Sequence, residues 1–514
     1  MVSAKSASVD SAPSKGKDAK SLGDKSNQDV EEAGSSSNEH TTGTAPATGF
    51  VLDRKTERAL CRKMDFRLLP VLACMHLLNG LDKGNLGNAK TAGMDVDLNF
   101  KSNQYNLALS IFYIPFCLTA PFLGIVGKKY GPSRVLPMMM LVFGSMTLLV
   151  VAAQNWGGIM ALRWFLGMAE SAFFPLLIYY LTTFYRRGEL ARRMSAFYAA
   201  SNIANAFSGL LSYGVFQITD TPLYPWRYLF MIEGILTILF AVFVWFYLPL
   251  NPETAWFLNQ AERDLARYRI QVDSSAVVNE KFDLRDSLKV FRHPSSFAFL
   301  AIEVCLGVPL QSVALFLPQI VGRLGYSTIK TNLYTVAPNI TGAVMLIILA
   351  FSSDYTRRRG PFITLAFLFT LTGFIIYATI DVLHNLRVAY FATFLMCWGG
   401  GATSVLLCAW YNNNTPHEGR RMALTSVGVP ISNLMGIVSS NIFTPQSAPK
   451  YIPALATTAA FGATGVVLTT LLSVYMVLDN KRRDRKLGRK LDPQETPTEL
   501  LRDGPSVPEF RWFL

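Results

Sequence analysis

From Phe66 onward the chain is a succession of apolar blocks, about twelve of which meet the roughly 20-residue length of a bilayer-spanning helix. Within a block the apolar residues follow one another directly, without the period-2 or period-3.6 stripes of a water-soluble domain. This pattern identifies an all-α integral membrane protein. The spans are predicted near 66 to 87, 104 to 126, 134 to 153, 157 to 183, 193 to 217 and 228 to 249, then 297 to 320, 331 to 352, 362 to 381, 388 to 410, 421 to 443 and 453 to 478. A polar stretch, Asn251 to Pro294, divides six from six.

Charge supports the same class. Only 16% of the 514 residues are charged, and the formal net charge is +13. The Lys and Arg residues fall between apolar blocks and form no basic-aromatic module, which argues against nucleic acid and for membrane topology. Six scattered Cys without C-x-x-C spacing and five His without a ligand pattern give no metal or cofactor site. No Walker A sequence, H-x-x-x-x-D pair or nucleophile constellation is present, so no enzyme is expected.

Basic residues cluster beside alternate span ends: Lys128, Lys129 and Arg134, then Arg186, Arg187, Arg192 and Arg193, then Arg357, Arg358 and Arg359, then Arg420 and Arg421. The positive-inside rule places both termini and the central loop in the cytoplasm. The expected organisation is a disordered tail at 1–59, a six-helix bundle at 60–250, a linker at 251–294, a second six-helix bundle at 295–479 and a tail at 480–514. The stretch Glu262 to Arg269 is expected as an amphipathic helix on the cytoplasmic surface. Two bundles with a site between them near the midplane suit alternating access.

Ionisable residues inside the spans mark a solute pathway, because each costs ~2.5 kcal/mol or more at the bilayer centre. Arg163 and Glu170 stand seven apart in the fourth span, nearly on one helix face. Arg163 either lines the pathway or acts as a lock or gate, and Glu170 either carries a proton or belongs to the same lock. Glu303 in the seventh span, sharing a face with Gly307 and Gln311, is the rival proton carrier.

In the first span His76, Asn79, Gly80 and Lys83 form a polar stripe, with Lys83 as first choice for an anionic solute unless neighbouring Asp82 neutralises it or it snorkels to the interface. Tyr198, Asn202 and Asn205 in the fifth span offer a phenol and amides that bind solute or glue helices. Gln311 and Trp398 complete the candidate contacts, Trp398 as a surface for a flat solute or as packing.

Several stretches resemble the major facilitator superfamily, and within it the fungal allantoate-permease branch of the anion:cation symporters. They are Leu81-Asp82-Lys83-Gly84-Asn85-Leu86-Gly87-Asn88-Ala89, Tyr105 to Tyr113, Gly131-Pro132-Ser133-Arg134, Arg163 to Pro175, Trp226-Arg227-Tyr228-Leu229-Phe230-Met231-Ile232-Glu233-Gly234 and Phe257 to Arg263. The resemblance implies a major facilitator fold of 12 transmembrane helices in two six-helix bundles. It further implies secondary uptake of a small organic anion, commonly with protons, across a membrane expected to be the plasma membrane.

It also implies gating contacts at the loop holding Arg186, Arg187, Glu189 and Arg192, and at Asp354 with Arg357 or Arg358. Two positions depart from the family pattern. Lys128 replaces the usual Asp of the loop after the second span, and Asp82-Lys83 replaces Asp-Arg. A nutrient sensor of the same fold is the alternative, ahead of a membrane-embedded enzyme.

Overall fold

The first apolar block sits inside a helix that starts well before it. In the computed structural model, which describes residues 54–101, 103–185, 187–218, 223–274, 284–491 and 504–514, helix 1 runs Arg54–Thr91. The expected start at Phe66 is too late, and residues 54–59 are helical where a tail was expected. The charged first turns are invisible to an apolar-block criterion. They fold because their charges have partners: Lys63 pairs with Glu262 at 2.6 Å and Asp65 with Arg193 at 2.7 Å.

The remaining spans follow the predicted blocks. Helix 2 is Gln104–Tyr130, helix 3 Pro132–Leu149, helix 5 Arg187–Val215 and helix 6 Pro225–Tyr247. Helix 7 is Pro294–Gly322, helix 9 Gly360–Thr379, helix 10 Leu386–Asn413, helix 11 Glu418–Ile442 and helix 12 Ile452–Leu487. Two spans are interrupted. Helix 4 is Trp156–Glu170 followed by Phe173–Thr182, and helix 8 is Thr328–Tyr334 followed by Val336–Thr356. Gly131 alone joins helices 2 and 3; its φ of 89° suits glycine, and Pro132 starts the next helix where its missing N–H costs nothing.

Among the described residues ten of these helices are long and apolar enough to cross a membrane on composition, and helices 1 and 5 are not among them. Helix 1 falls short because buried Asn79, Asp82, Asn85 and Asn88 interrupt its apolar run. Helix 3 packs on 6, 2 on 4 and 1 on 5 in the first half; 9 packs on 10 and 12, 7 on 11 and 8 on 10 in the second. The halves meet where helix 2 packs on 11, 5 on 8 and 1 on 7.

Between the halves, Asn251 caps a short turn with a reciprocal bond to Thr254, and Gln260–Ser274 forms the expected surface helix. Arg269 of that helix is 1% exposed and pairs with Glu57 of helix 1 at 2.8 Å. Asp286, farther along, receives Lys289 at 2.6 Å, His417 at 3.0 Å and Arg420 at 3.3 Å, which ties the connection to the start of helix 11. The Lys289 hydrogen bond and the Arg420 charge push its carboxyl down to about 2.

The expected tail at 480–514 is only partly a tail. Helix 12 continues to Leu487, and residues 504–514 dock against the second half. Phe510 and Trp512 are buried in the cluster that holds Phe299, Trp410, Tyr411 and Met476. Trp512 donates its indole N–H to Asp479 at 2.8 Å, and Asn480 both donates to and accepts from the Trp512 backbone. The Phe513 carbonyl accepts from Trp410 and Asn414, Arg511 pairs with Asp484, and the Leu514 carbonyl accepts from the Arg359 backbone. This segment clasps the ends of helices 10 and 12 and the turn before helix 9.

Candidate functional site

Small residues bring helix 1 close to its neighbours. A Cβ on Gly80 would lie 3.0 Å from the Ala204 Cβ, and one on Gly84 3.4 Å from the Ser208 hydroxyl, so helix 5 packs closely here by the small-xxx-small rule. At that distance Asn88 donates to Ser208 and Ser208 to Asn85, both at 2.7 Å. Asn205 lies half-buried beside Gly84. Asp82 points elsewhere: its carboxylate accepts from Thr147 of helix 3 at 2.5 Å.

Helix 4 brings the next charges. Arg163 is 5% exposed, and its Nε and Nη2 are buried without a hydrogen-bond partner among the described residues. Glu170 is buried at the end of the first piece of the same helix. The break that follows is held by Ser171, which donates to the Met168 carbonyl and accepts from Thr119, both at 2.9 Å. From helix 6 comes Glu233, 1% exposed, with both carboxylate oxygens lacking a hydrogen-bond partner among the described residues. Glu233 lies within electrostatic range of Asp82, Glu170 and Arg163. Helices 1, 4 and 6 thus bring three carboxylates and one guanidinium into one buried cluster. His76 of helix 1 has its ring 5.2 Å from that of Phe174 in the second piece of helix 4.

The seam between the halves is made of neutral polar groups. Tyr113 of helix 2 donates to Gln311 of helix 7 at 2.9 Å, and Gln311 donates to Asn433 of helix 11 at 3.3 Å. Arg163 acts electrostatically on Tyr113 and on Tyr105, which joins the charged cluster to this seam. Toward the far end of the helices Ser110 meets Ser440 at 2.6 Å, Asn106 donates to the Phe443 carbonyl at 2.9 Å and Gln319 to Tyr105 at 3.3 Å. Thr328 and Asn332 reach Thr91, both at 3.2 Å.

Among the described residues, hydrogen bonds across the halves run from the Cys117–Pro430 contact at mid-height to the end where helices 1, 7 and 11 finish. Gly436 packs directly under the Tyr113 ring there.

The sequence candidates therefore separate. Arg163, Glu170, Asn79 and His76 belong to the first half's interior, and Gln311 to the seam. Glu303 is 3% exposed and runs alongside Gly428 of helix 11, some two turns from Gln311. Trp398 is set apart: it donates to Thr341 at 3.0 Å and lies edge-on to Phe369 and to Phe391, which is 51% exposed.

Arg186 and the side chains of Lys83, Arg187, Glu189, Arg192, Tyr198 and Asn202 lie outside the described residues. Asp354 has a described partner outside the expected pair. Arg357 caps helix 8 with φ 55° and turns the chain, so the described pair is Asp354 with Arg359 at 2.7 Å. Arg193 of the basic loop grips Asp65 with two nitrogens, at 2.7 and 2.9 Å, inside the first half.

Sequence reasoning missed two members of the cluster. Asp82 adjoins Lys83 in sequence and accepts from Thr147; Glu233 stands alone in an apolar block, and that isolation was the available signal.

Comparison with known proteins fits this arrangement. The profile of the Major Facilitator Superfamily matches residues 72–439. The chain belongs to this superfamily. An uncharacterized transporter of Schizosaccharomyces pombe is 53% identical over 465 residues, covering 90% of this chain and 92% of the relative. A high-affinity nicotinic acid transporter of Saccharomyces cerevisiae is 27% identical, covering 89% of this chain and 85% of its own. The fold matches a bacterial homolog of the human lysosomal transporter Spinster in an inward-facing, unoccupied conformation. The TM-score is 0.60 at 12% identity, over 79% of this chain and 96% of that one. This superfamily member is thus an all-α membrane transporter of the major facilitator fold.

Proposed function

We propose that the chain imports a small organic anion together with protons, by rocking its two six-helix halves about a site between them. The observation that carries this reading is Arg163, a buried guanidinium with two nitrogens unpartnered among the described residues, set between the seam tyrosines and the carboxylate cluster. Buried polar atoms in folded proteins bond to protein, water or ligand, and a guanidinium fork matches a carboxylate. Tyr113, Gln311 and Asn433 supply a phenol and amides for the uncharged part of the solute. The nicotinic acid transporter among the relatives points to aromatic monocarboxylates as the first solutes to try.

Asp82, Glu170 and Glu233 are the groups for the proton. Like-charged carboxylates sharing a low-dielectric site pass a proton among themselves, and Glu233 lies near both others. Coupling follows if solute at Arg163 alters the electrostatic balance of that cluster. Glu303, beside Gly428 on the other half, is the competing carrier. The flanking basic residues favour both termini on the cytoplasmic side, and the family resemblance favours the plasma membrane.

The test is uptake of labelled nicotinate and related carboxylates in a transport-deficient cell, with and without a proton uncoupler. Arg163→Ala should abolish uptake. Full uptake by that variant refutes the anion role, and uncoupler-insensitive accumulation refutes the proton role. Lys83→Ala run in parallel separates the two candidate cations.

A further inference from the structure

The part of helix 1 that precedes the first apolar block has a basic face. Lys55, Arg58, Ala59, Arg62, Lys63 and Phe66 line an open cleft of about 510 Å³ on it. Lys55, Arg58, Arg62 and Phe66 fall at i, i+3, i+7 and i+11, a single stripe of an α-helix. Phe66 is 69% exposed at the start of the predicted membrane segment, and the Arg62 guanidinium stands 5.7 Å over its ring. Beside the stripe Trp256 is 51% exposed under Arg67, 5.3 Å from ring centroid to guanidinium carbon.

The acids nearby are committed elsewhere. Glu57 pairs with buried Arg269, Asp65 with Arg193 and Glu262 with Lys63. Among the described residues no carboxylate pairs with Arg58 or Arg62. Arg58 and Arg62 therefore present two cations ~6 Å apart along the helix axis, at the edge of the apolar segment, with an apolar ring at the inner end.

We propose that this face binds the headgroup of an acidic phospholipid, with Arg58 and Arg62 on the phosphate and Phe66 among the acyl chains. A cation cluster directly outside a membrane helix is the chemistry that attracts anionic lipid, and an aromatic at headgroup level anchors it. A soluble anion would use the two arginines and leave Phe66 without a role, so the lipid is the occupant that uses all three. Bound lipid would brace the start of helix 1 and, through Lys63–Glu262 and Glu57–Arg269, the surface helix between the two halves.

The experiment is thermal unfolding of the purified full chain in neutral detergent, titrated with phosphatidylserine, phosphatidylcholine or inorganic phosphate. Phosphatidylserine should raise the melting temperature saturably while the other two do not. Each basic residue contributes about fivefold to such binding, so the Arg58→Gln, Arg62→Gln double variant should need about twenty-five-fold more phosphatidylserine. Phe66→Ser should also weaken the response, and Arg58→Lys with Arg62→Lys should retain most of it. An unchanged response in the glutamine double variant overturns the proposal. So does an equal shift with inorganic phosphate, which would make the site one for soluble anions.

Discussion

Replacing Gly436 by Ala should drive the seam open at the end where it is now closed. The added methyl would fall inside the Tyr113 ring, and backbone on helix 11 cannot yield as a flexible side chain would. Overpacking of this kind costs typically 1–3 kcal/mol, and moving Tyr113 also endangers its 2.9 Å bond to Gln311, worth about 1 kcal/mol net. Both losses fall on the closed arrangement alone. A bias of about 2 kcal/mol multiplies the open-to-closed ratio by roughly thirty.

Gly167 supplies the control. A methyl there would strike the Phe112 carbonyl, one residue from Tyr113, but from helix 4 within the same half. Gly167→Ala should lower stability without favouring either arrangement. The readout is alkylation of a cysteine at position 110, introduced as Ser110→Cys, by a membrane-impermeant maleimide. Ser110 is 7% exposed and touches Ser440 across the seam. Gly436→Ala should raise the rate by an order of magnitude, and Gly167→Ala should not. Equal rates in the two variants, or no rise in either folded protein, would refute a moving interface at helices 2 and 11.

Other expectations are more local. Glu233→Gln should abolish proton-driven accumulation while sparing solute exchange, measured in proteoliposomes with and without a pH gradient; loss of both would make it a packing residue. Trp512→Ala should cost about 3–5 kcal/mol, the usual penalty for a buried Trp, seen as a lower melting temperature. Asp354→Asn should change stability by less than ~1 kcal/mol, because the carboxylate that Arg359 pairs with is itself exposed.

Asp286 titrates at about 2 in the fold, below its ordinary value of 3.8. Its contribution is therefore complete above pH ~4 and lost as pH falls toward 2. Asp286→Asn should flatten that part of the stability curve.

The twelve helices were legible because hydrocarbon length and apolar run are the same physical fact read twice. Their ends were less so. Helix 1 extends outward through Lys63 and Asp65, whose partners Glu262 and Arg193 are far away in sequence. The break after Glu170 does leave a local mark, since Pro175 has no N–H for the Ser171 carbonyl four residues back, and a hydroxyl from helix 2 then meets Ser171.

At the site, rarity located Arg163, Glu170 and Glu303, because charge in an apolar block is conspicuous whatever its neighbours. Pairing was a different matter. Asp82 drew notice only as the sequence neighbour of Lys83, and nothing local foretells that it accepts from Thr147 of helix 3. Gln311 was chosen for its face of helix 7; that it meets Tyr113 depends on how the halves close. Trp398 has the right chemistry for a flat solute and lies among Phe369 and Phe391, a placement that spacing alone does not reveal.

The clasp formed by residues 504–514 has a practical corollary for anyone handling the protein. Leu514 accepts a hydrogen bond from Arg359, and Phe513 from Trp410 and Asn414, so a fluorescent protein or affinity tag joined directly after Leu514 would emerge from a packed surface. Such a fusion has to pry the clasp away or be held against the ends of helices 10 and 12. Signal from a reporter there would then track the tag's own interference as much as the amount of folded transporter. A spacer of flexible residues, or a tag at the opposite terminus, removes the conflict.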